Sequence, residues 1–223
     1  MSTRRALFFS FVDRHSSLLI TVASSIVIAR LLTPDEIGVF SVTMALLAFA
    51  TTLRDMGAGQ YLVQAREASP DLIKAVWTIQ FTVGAGLGTA VALLAVPMAL
   101  FYDEPRMTPI MALMAVTYLT TPIGSITYAL LMRDMRFEHV AVMRLASAVT
   151  GAAVSIALAW AGHGPISLAW GQMAASCAMA LASQIYRPND QPWGLSFRRA
   201  REVLGFGSRL TGASILNTFE QVL

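Results

Sequence analysis

The sequence predicts an all-α integral membrane fold, a six-helix transmembrane bundle followed by the start of a seventh helix. Three observations predict it. First, 56% of the 223 residues are hydrophobic and 13% are charged, where a soluble globular chain carries about 25% charged residues. Second, stretches 75–102, 107–132 and 145–186 contain no Asp, Glu, Lys or Arg, and each exceeds the ~20 residues that cross a bilayer core. Third, Lys and Arg gather in alternate loops. Arg4, Arg5, Arg54, Arg66, Lys74, Arg133, Arg136, Arg144, Arg187, Arg198, Arg199 and Arg201 fall on one side, Arg30 and Arg106 on the other, and Arg14 and Arg209 stay ambiguous. That asymmetry puts the N-terminus in the cytoplasm by the positive-inside rule.

The first apolar segment runs to Leu32 from about Ser16, or from Ala6 if Asp13, Arg14 and His15 lie inside the helix. Arg4 and Arg5 before Ala6–Val12 resemble the start of a signal peptide, but Asp13-Arg14-His15 interrupts the apolar stretch where a cleavage site would follow, which predicts an uncleaved N-terminus. Thr33-Pro34-Asp35-Glu36 has the form of a capping box. Thr33 would accept from the new helix, Pro34 would occupy the first turn and Glu36 would reach back to the cap. This makes an outward hairpin into segment two, Ile37–Leu53. Ser69-Pro70-Asp71 and Thr108-Pro109 repeat the start signal before segment three, Ala75–Phe101, and segment four, Thr108–Met132. Gly162-His163-Gly164-Pro165 divides the next run into segment five, Leu145–Ala161, and segment six, Ile166–Tyr186; a seventh begins near Val203. Pro97 and Pro122 fall inside apolar runs, where they can bend a spanning helix.

Small residues predict how these helices meet. Gly84 and Gly88 stand at small-xxx-small spacing in segment three, and Ala148, Gly151, Ala152, Gly171, Ala174, Ala175 and Ala178 give segments five and six similar faces. The lone Cys177 lies in an apolar run and reads as a packing residue. His15, His139 and His163 show no metal-ligand spacing, and no nucleophile elbow or Walker loop appears. The expectation is therefore no enzyme and no cofactor. The cations form no basic stripe with interleaved aromatics, which excludes nucleic acid as a partner.

Ionisable groups at membrane depth cost roughly 2.5–3.5 kcal/mol on insertion scales, so each asks for a reason. For Asp13-Arg14-His15 two readings stand open. Arg14 faces a wet cavity with Asp13 partly neutralising it, or residues 4–14 lie in the interface with Arg14 snorkelling to headgroups. Arg54-Asp55 reads as a cytoplasmic helix end. Arg209 lies close enough to the cytoplasmic end of segment seven to snorkel; Glu220 does not.

The stretch ARLLTPDEIGVFSVTMALLAFATTLRDMGAGQYLVQ, together with FYDEPRMTPIMALMAV, LLMRDMRFEHVAVMRLASAVTGAAVSIALAWAGHG and RAREVLGFGSRLTGASILN, resembles the polysaccharide transporter flippases. These belong to the multidrug, oligosaccharidyl-lipid and polysaccharide exporter superfamily. Ile37 and Met56 depart mildly from the family's Phe-Gly and Asp-Leu-Gly patterns. The resemblance implies two six-helix lobes working by alternating access on undecaprenyl-pyrophosphate-linked sugars in the bacterial inner membrane. Residues 1–202 would form the N-terminal lobe and 203–223 the first helix of a second lobe, so the chain reads as a fragment whose missing lobe is a partner. Lipid-linked oligosaccharide and membrane lipids are the other partners implied. On this reading Arg14, with His15 and Arg209, would bind the substrate head, and Asp13 or Glu220 would couple an ion. The competing expectations are a drug or metabolite antiporter of the same superfamily and a scaffold subunit of an export complex. A polymerase or membrane glycosyltransferase would need a long external loop or an acidic catalytic site.

Overall fold

The computed structural model describes residues 3–55, 58–65, 67–188, 191–192, 194–196 and 203, with side chains from residue 16 onward except at 49 and 53–58. All regular structure among them is helical: α1 Thr3–Leu31, α2 Pro34–Asp55, α3 Ala58–Gln64, α4 Pro70–Phe101, α5 Met107–Arg133, α6 Phe137–Trp160 and α7 Ile166–Ile185. By length and composition α4, α5, α6 and α7 are each able to cross a membrane. The described apolar part of α1, Ser16–Leu31, is shorter. Most of α2 is apolar as well.

The helix starts follow local chemistry. At α2 the Thr33 backbone N–H donates to Glu36 Oε2 at 2.8 Å, and the Glu36 N–H donates back to Thr33 Oγ1 at 3.3 Å. The expected capping box is therefore formed. At α4 the Leu72 N–H donates to Ser69 Oγ at 3.3 Å, with Pro70 in the first turn. Thr108 does not play that part. Arg106 precedes α5 without a side-chain cap, and the turn is closed by the Met107 and Thr108 N–H groups on the carbonyls of Glu104 and Pro105.

Helix ends share one device. After α6 the His163 N–H reaches the Leu158 carbonyl at 3.1 Å and the Gly162 N–H reaches Ala159 at 3.0 Å, with Gly162 at φ +80. This is a Schellman ending. The same pair of bonds ends α4 with Asp103 at φ 53 and α5 with Met135 at φ 54. Because the turn after Met135 is so tight, α6 begins at Phe137 rather than near Leu145, and Arg144 lies two turns inside it. The sequence also gave no warning of α3. Continuous helical backbone from Thr3 resolves the start of α1, and Asp13, Arg14 and His15 lie within it.

In space α5 is central, flanked by α4 and α7; α6 packs on α7 and α1 on α6. The α4/α5 seam is set by glycine. A Cβ on Gly84 would stand 2.5 Å from the Tyr118 carbonyl oxygen, and one on Gly88 would stand 2.8 Å from that of Ala115. Pro122 supplies no N–H to the Tyr118 carbonyl one turn back, and Gly84 is where α4 closes over it. The same close approach joins α6 and α7, where a Cβ on Gly171 would come within 2.8 Å of the Gly151 carbonyl. Apolar clusters flank the α4/α5 seam, with Met107, Ile110 and Met111 toward one end and Leu72, Val76, Ile126 and Leu130 toward the other.

The three loops expected to face outward meet at one end. Arg106 Nη2 lies 2.8 Å from Asp35 Oδ2 and 2.6 Å from Glu104 Oε2, and Gly164 approaches Glu36. At the other end, the chain after α7 folds back over α4 and α5. Thr127 Oγ1 donates to Gln191 Oε1 at 3.1 Å and the Ser196 N–H donates to Thr78 Oγ1 at 2.8 Å. Lys74, Arg133, Arg136 and Arg187 gather at that end. Val203 is buried there; the rest of the expected seventh segment, including Arg209 and Glu220, lies outside the described residues.

Candidate functional site: a polar groove along α5

A hydroxyl stripe runs down the centre of the bundle. Thr117, Thr121, Ser125 and Tyr128 recur at spacings of four, four and three, which places them on one face of α5. The stripe borders two cavities. One, of about 420 Å³, lies between α3, α4 and α5 and is lined by Gln60, Gln64 and Gln80 together with Thr121, Ser125 and Tyr128. The second, of about 560 Å³, lies between α5, α6 and α7 and adds Arg144, Ser147, Gln172 and Ser176. A third, of about 320 Å³, lies between α1, α6 and α7; it shares Ser147 and Gln172 and is bordered by Thr21 and Ser24 of α1. Shared wall residues make the three neighbours in a row from α3 to α1, together called the groove.

Hydrogen bonds fix its walls. Ser125 Oγ donates to Gln80 Oε1 at 2.5 Å, Thr120 and Ser176 hydroxyls are 2.8 Å apart, and Ser147 Oγ donates to the Ala175 carbonyl at 2.8 Å. Among the described residues lining the groove, Arg144 is the one charged group. A groove with hydroxyls, carboxamides and a single guanidinium between apolar helices can hold water and a polar head that lipid would reject.

The residues singled out from sequence fall differently. Arg14 is on α1 seven residues before Thr21, two turns away on the same helical face, with Asp13 and His15 beside it in sequence; their side chains are outside the described residues. His139 packs edge-on to Tyr186, with ring centres 4.8 Å apart, and His163 sits exposed in the α6–α7 turn. No group of three His, Cys, Asp or Glu able to hold a metal ion occurs among the described residues. Sequence reasoning placed Arg144 in a loop and passed over Gln80 and the α5 stripe. The 4-4-3 spacing of hydroxyls in a charge-free run was the signal available.

Comparison with known proteins is decisive about ancestry. A family model described as polysaccharide biosynthesis protein matches residues 27–223. The chain belongs to that family. Among curated relatives, the lipopolysaccharide biosynthesis protein WzxC of Escherichia coli (strain K12) is 24% identical over 198 residues, 86% of this chain and 39% of that protein. The succinoglycan biosynthesis transport protein ExoT of Rhizobium meliloti (strain 1021) is 25% identical over 142 residues, 64% of this chain and 29% of its own. A membrane protein in the cps region of Klebsiella pneumoniae is 24% identical over 220 residues, 97% of this chain and 45% of that one. The chain thus spans less than half the length of these relatives. No solved structure matches it. Its apolar helices and its kinship to membrane and transport proteins make this family member a multi-pass membrane protein.

Proposed function

We propose that this chain is the N-terminal lobe, residues 1–202, and the first helix of the second lobe, of a transporter that flips undecaprenyl-pyrophosphate-linked oligosaccharide across the bacterial inner membrane by alternating access. The observation that carries the reading is the polar groove along Thr117, Thr121, Ser125 and Tyr128 inside a bundle of apolar helices. A diphosphate-sugar head cannot cross ~30 Å of hydrocarbon unaided. A groove of hydroxyls and carboxamides replaces its water shell while the polyprenyl tail stays in lipid.

In this reading six segments span the membrane and the N-terminus is cytoplasmic. The end that collects Lys74, Arg133, Arg136 and Arg187 is the loading side. Arg144 joins Arg14, His15 and Arg209 as the cations that meet the diphosphate, and Asp13 or Glu220 couples proton or sodium flow. No reaction is catalysed.

The test uses the full-length protein in proteoliposomes, offered a fluorescent lipid-linked oligosaccharide in one arm and a cationic dye in the other. Uptake of the first and not the second is expected. Dye transport alone would convert the reading to an antiporter, and loss of surface polysaccharide with neither activity would convert it to a scaffold. Arg14→Ala is expected to abolish polysaccharide assembly while insertion stays intact. Normal polysaccharide in that variant removes Arg14 from the site.

A further inference from the structure

The cavity between α3, α4 and α5 differs in chemistry from its neighbour across the hydroxyl stripe. Its volume of about 420 Å³ falls in the ~300–1,000 Å³ range of small-ligand sites. Among the described residues no charged side chain lines it, whereas the cavity across the stripe has Arg144. An unpaired diphosphate there would pay its full desolvation cost. An apolar chain would offer no hydrogen bond to the carboxamides of Gln60 and Gln64 or to the Gln80 amide nitrogen.

Each carboxamide both donates and accepts, which matches the neighbouring hydroxyls of a sugar ring, groups that also do both. The Gln80 amide is held in place, since Ser125 Oγ donates to its oxygen at 2.5 Å and its nitrogen is left to donate. Tyr128, with Val63 and Met132, supplies an apolar surface for the C–H face of such a ring.

Building on the transport reading above, we propose that this cavity is a subsite for an uncharged pyranose residue of the cargo, bound by Gln60, Gln64 and Gln80 against Tyr128. The subsite lies at the end of the bundle where α5 terminates, so the sugar is recognised at the face that gathers Lys74 and Arg133. The stripe of Thr121, Ser125 and Tyr128 separates it from the compartment that holds Arg144. Neutral and charged parts of one head are thereby sorted to the two flanks of a single hydroxyl stripe.

Two measurements on the full-length protein test this. In a background with Cys177 and any other native cysteine replaced, Val63→Cys is labelled with a maleimide in nanodiscs, alone and with methyl pyranosides, a uronate or inorganic pyrophosphate. At least one neutral methyl pyranoside is expected to slow labelling, pyrophosphate is expected not to, and protection should vanish when Gln80→Leu is added. Equal protection by pyrophosphate overturns the subsite, as does a Val63→Cys thiol that stays unreactive without sugar because the remainder of the chain fills the cavity. In the second measurement, Gln80→Leu and Gln60→Leu are expected to lower transport of the lipid-linked oligosaccharide about tenfold with the thermal unfolding midpoint unchanged. If the parent transports and both variants match it, the subsite is wrong and the transport reading stands. If the parent itself moves no lipid-linked sugar, the transport reading has failed, and the labelling experiment alone decides whether the cavity binds sugar.

Discussion

Two adjacent stripes of α5 are built on opposite terms. Ala115 and Tyr118 form a dry stripe whose backbone carbonyls lie against Gly88 and Gly84 of α4. Thr117, Thr121, Ser125 and Tyr128, about 100° around the same helix, form a wet stripe bordering two cavities. Lipid offers no hydrophobic drive between helices, so close backbone contact must hold them together. What the comparison teaches is a division of labour: the dry stripe holds α4 and α5 together while the wet stripe leaves open space beside it.

The largest expected effect comes from spoiling the dry stripe. Gly84→Ala places a methyl group 2.5 Å from the Tyr118 oxygen, and a backbone atom cannot swing aside. A loss of about 1–3 kcal/mol is expected, as for overpacked cores, read from unfolding of the full-length protein in detergent. Gly86→Ala is the control, since nothing lies within 4 Å of its added Cβ. Equal behaviour of the two variants would break the comparison. Gly124→Ala sharpens it, because the atom met at 2.9 Å is Met179 Cγ, the middle of a flexible side chain. A smaller loss than at Gly84 is expected there.

Much of the dry architecture was legible in the sequence because its signals are local. Gly84 and Gly88 announce a close face by spacing, Thr33 and Glu36 make a capping box in four residues, and Gly162 to Pro165 can hardly be anything but a break. The loops expected to face outward were read from the cation distribution, and the Arg106–Asp35 contact brings two of them together. The wet stripe was harder to read. Thr and Ser are common in spanning helices, and Gln80, being neutral, is invisible to a search for intramembrane charge. Arg144 was missed for another reason. A segment drawn from its first uninterrupted apolar residue starts after the last charge, whereas α6 begins seven residues before that arginine. The alternation of helices survives such errors, but the inventory of a cavity does not.

On the wet stripe the expectation reverses, with a small change in stability and a large one in function. Thr117→Val and Thr121→Val keep side-chain shape and remove hydroxyls that bond to the carbonyls of Leu113 and Thr117 within α5. Unfolding is expected to change by no more than about 0.5 kcal/mol, while transport of lipid-linked oligosaccharide falls. If the same variants unfold as readily as Gly84→Ala, the stripe is a packing surface and the division of labour is lost. Topology offers an independent check. Cysteines placed near Pro34 and Gly164 are expected to react with an impermeant maleimide from outside the inner membrane.

The smallest effect concerns the point where α5 begins. Glu104 accepts from Arg106 Nε at 2.7 Å and from Arg106 Nη2 at 2.6 Å, and the same nitrogen reaches Asp35. These bonds hold the Glu104 carboxyl below its ordinary value of 4.5 and push the Arg106 guanidinium up. A carboxylate whose pKa is lowered on folding adds stability that is complete above its unfolded value and lost as pH falls through the folded one. The clasp therefore contributes fully at neutral pH and fades only below about 4.5. Exposed pairs of this kind contribute little and are screened by salt. Acidification below that value should destabilise the parent slightly more than Glu104→Gln, and added salt should shrink the difference. A clasp that instead governed the fold would show Glu104→Gln failing at neutral pH as severely as Gly84→Ala. The seam between α4 and α5 would then owe its register to charge at its Arg106 end rather than to glycine along its length.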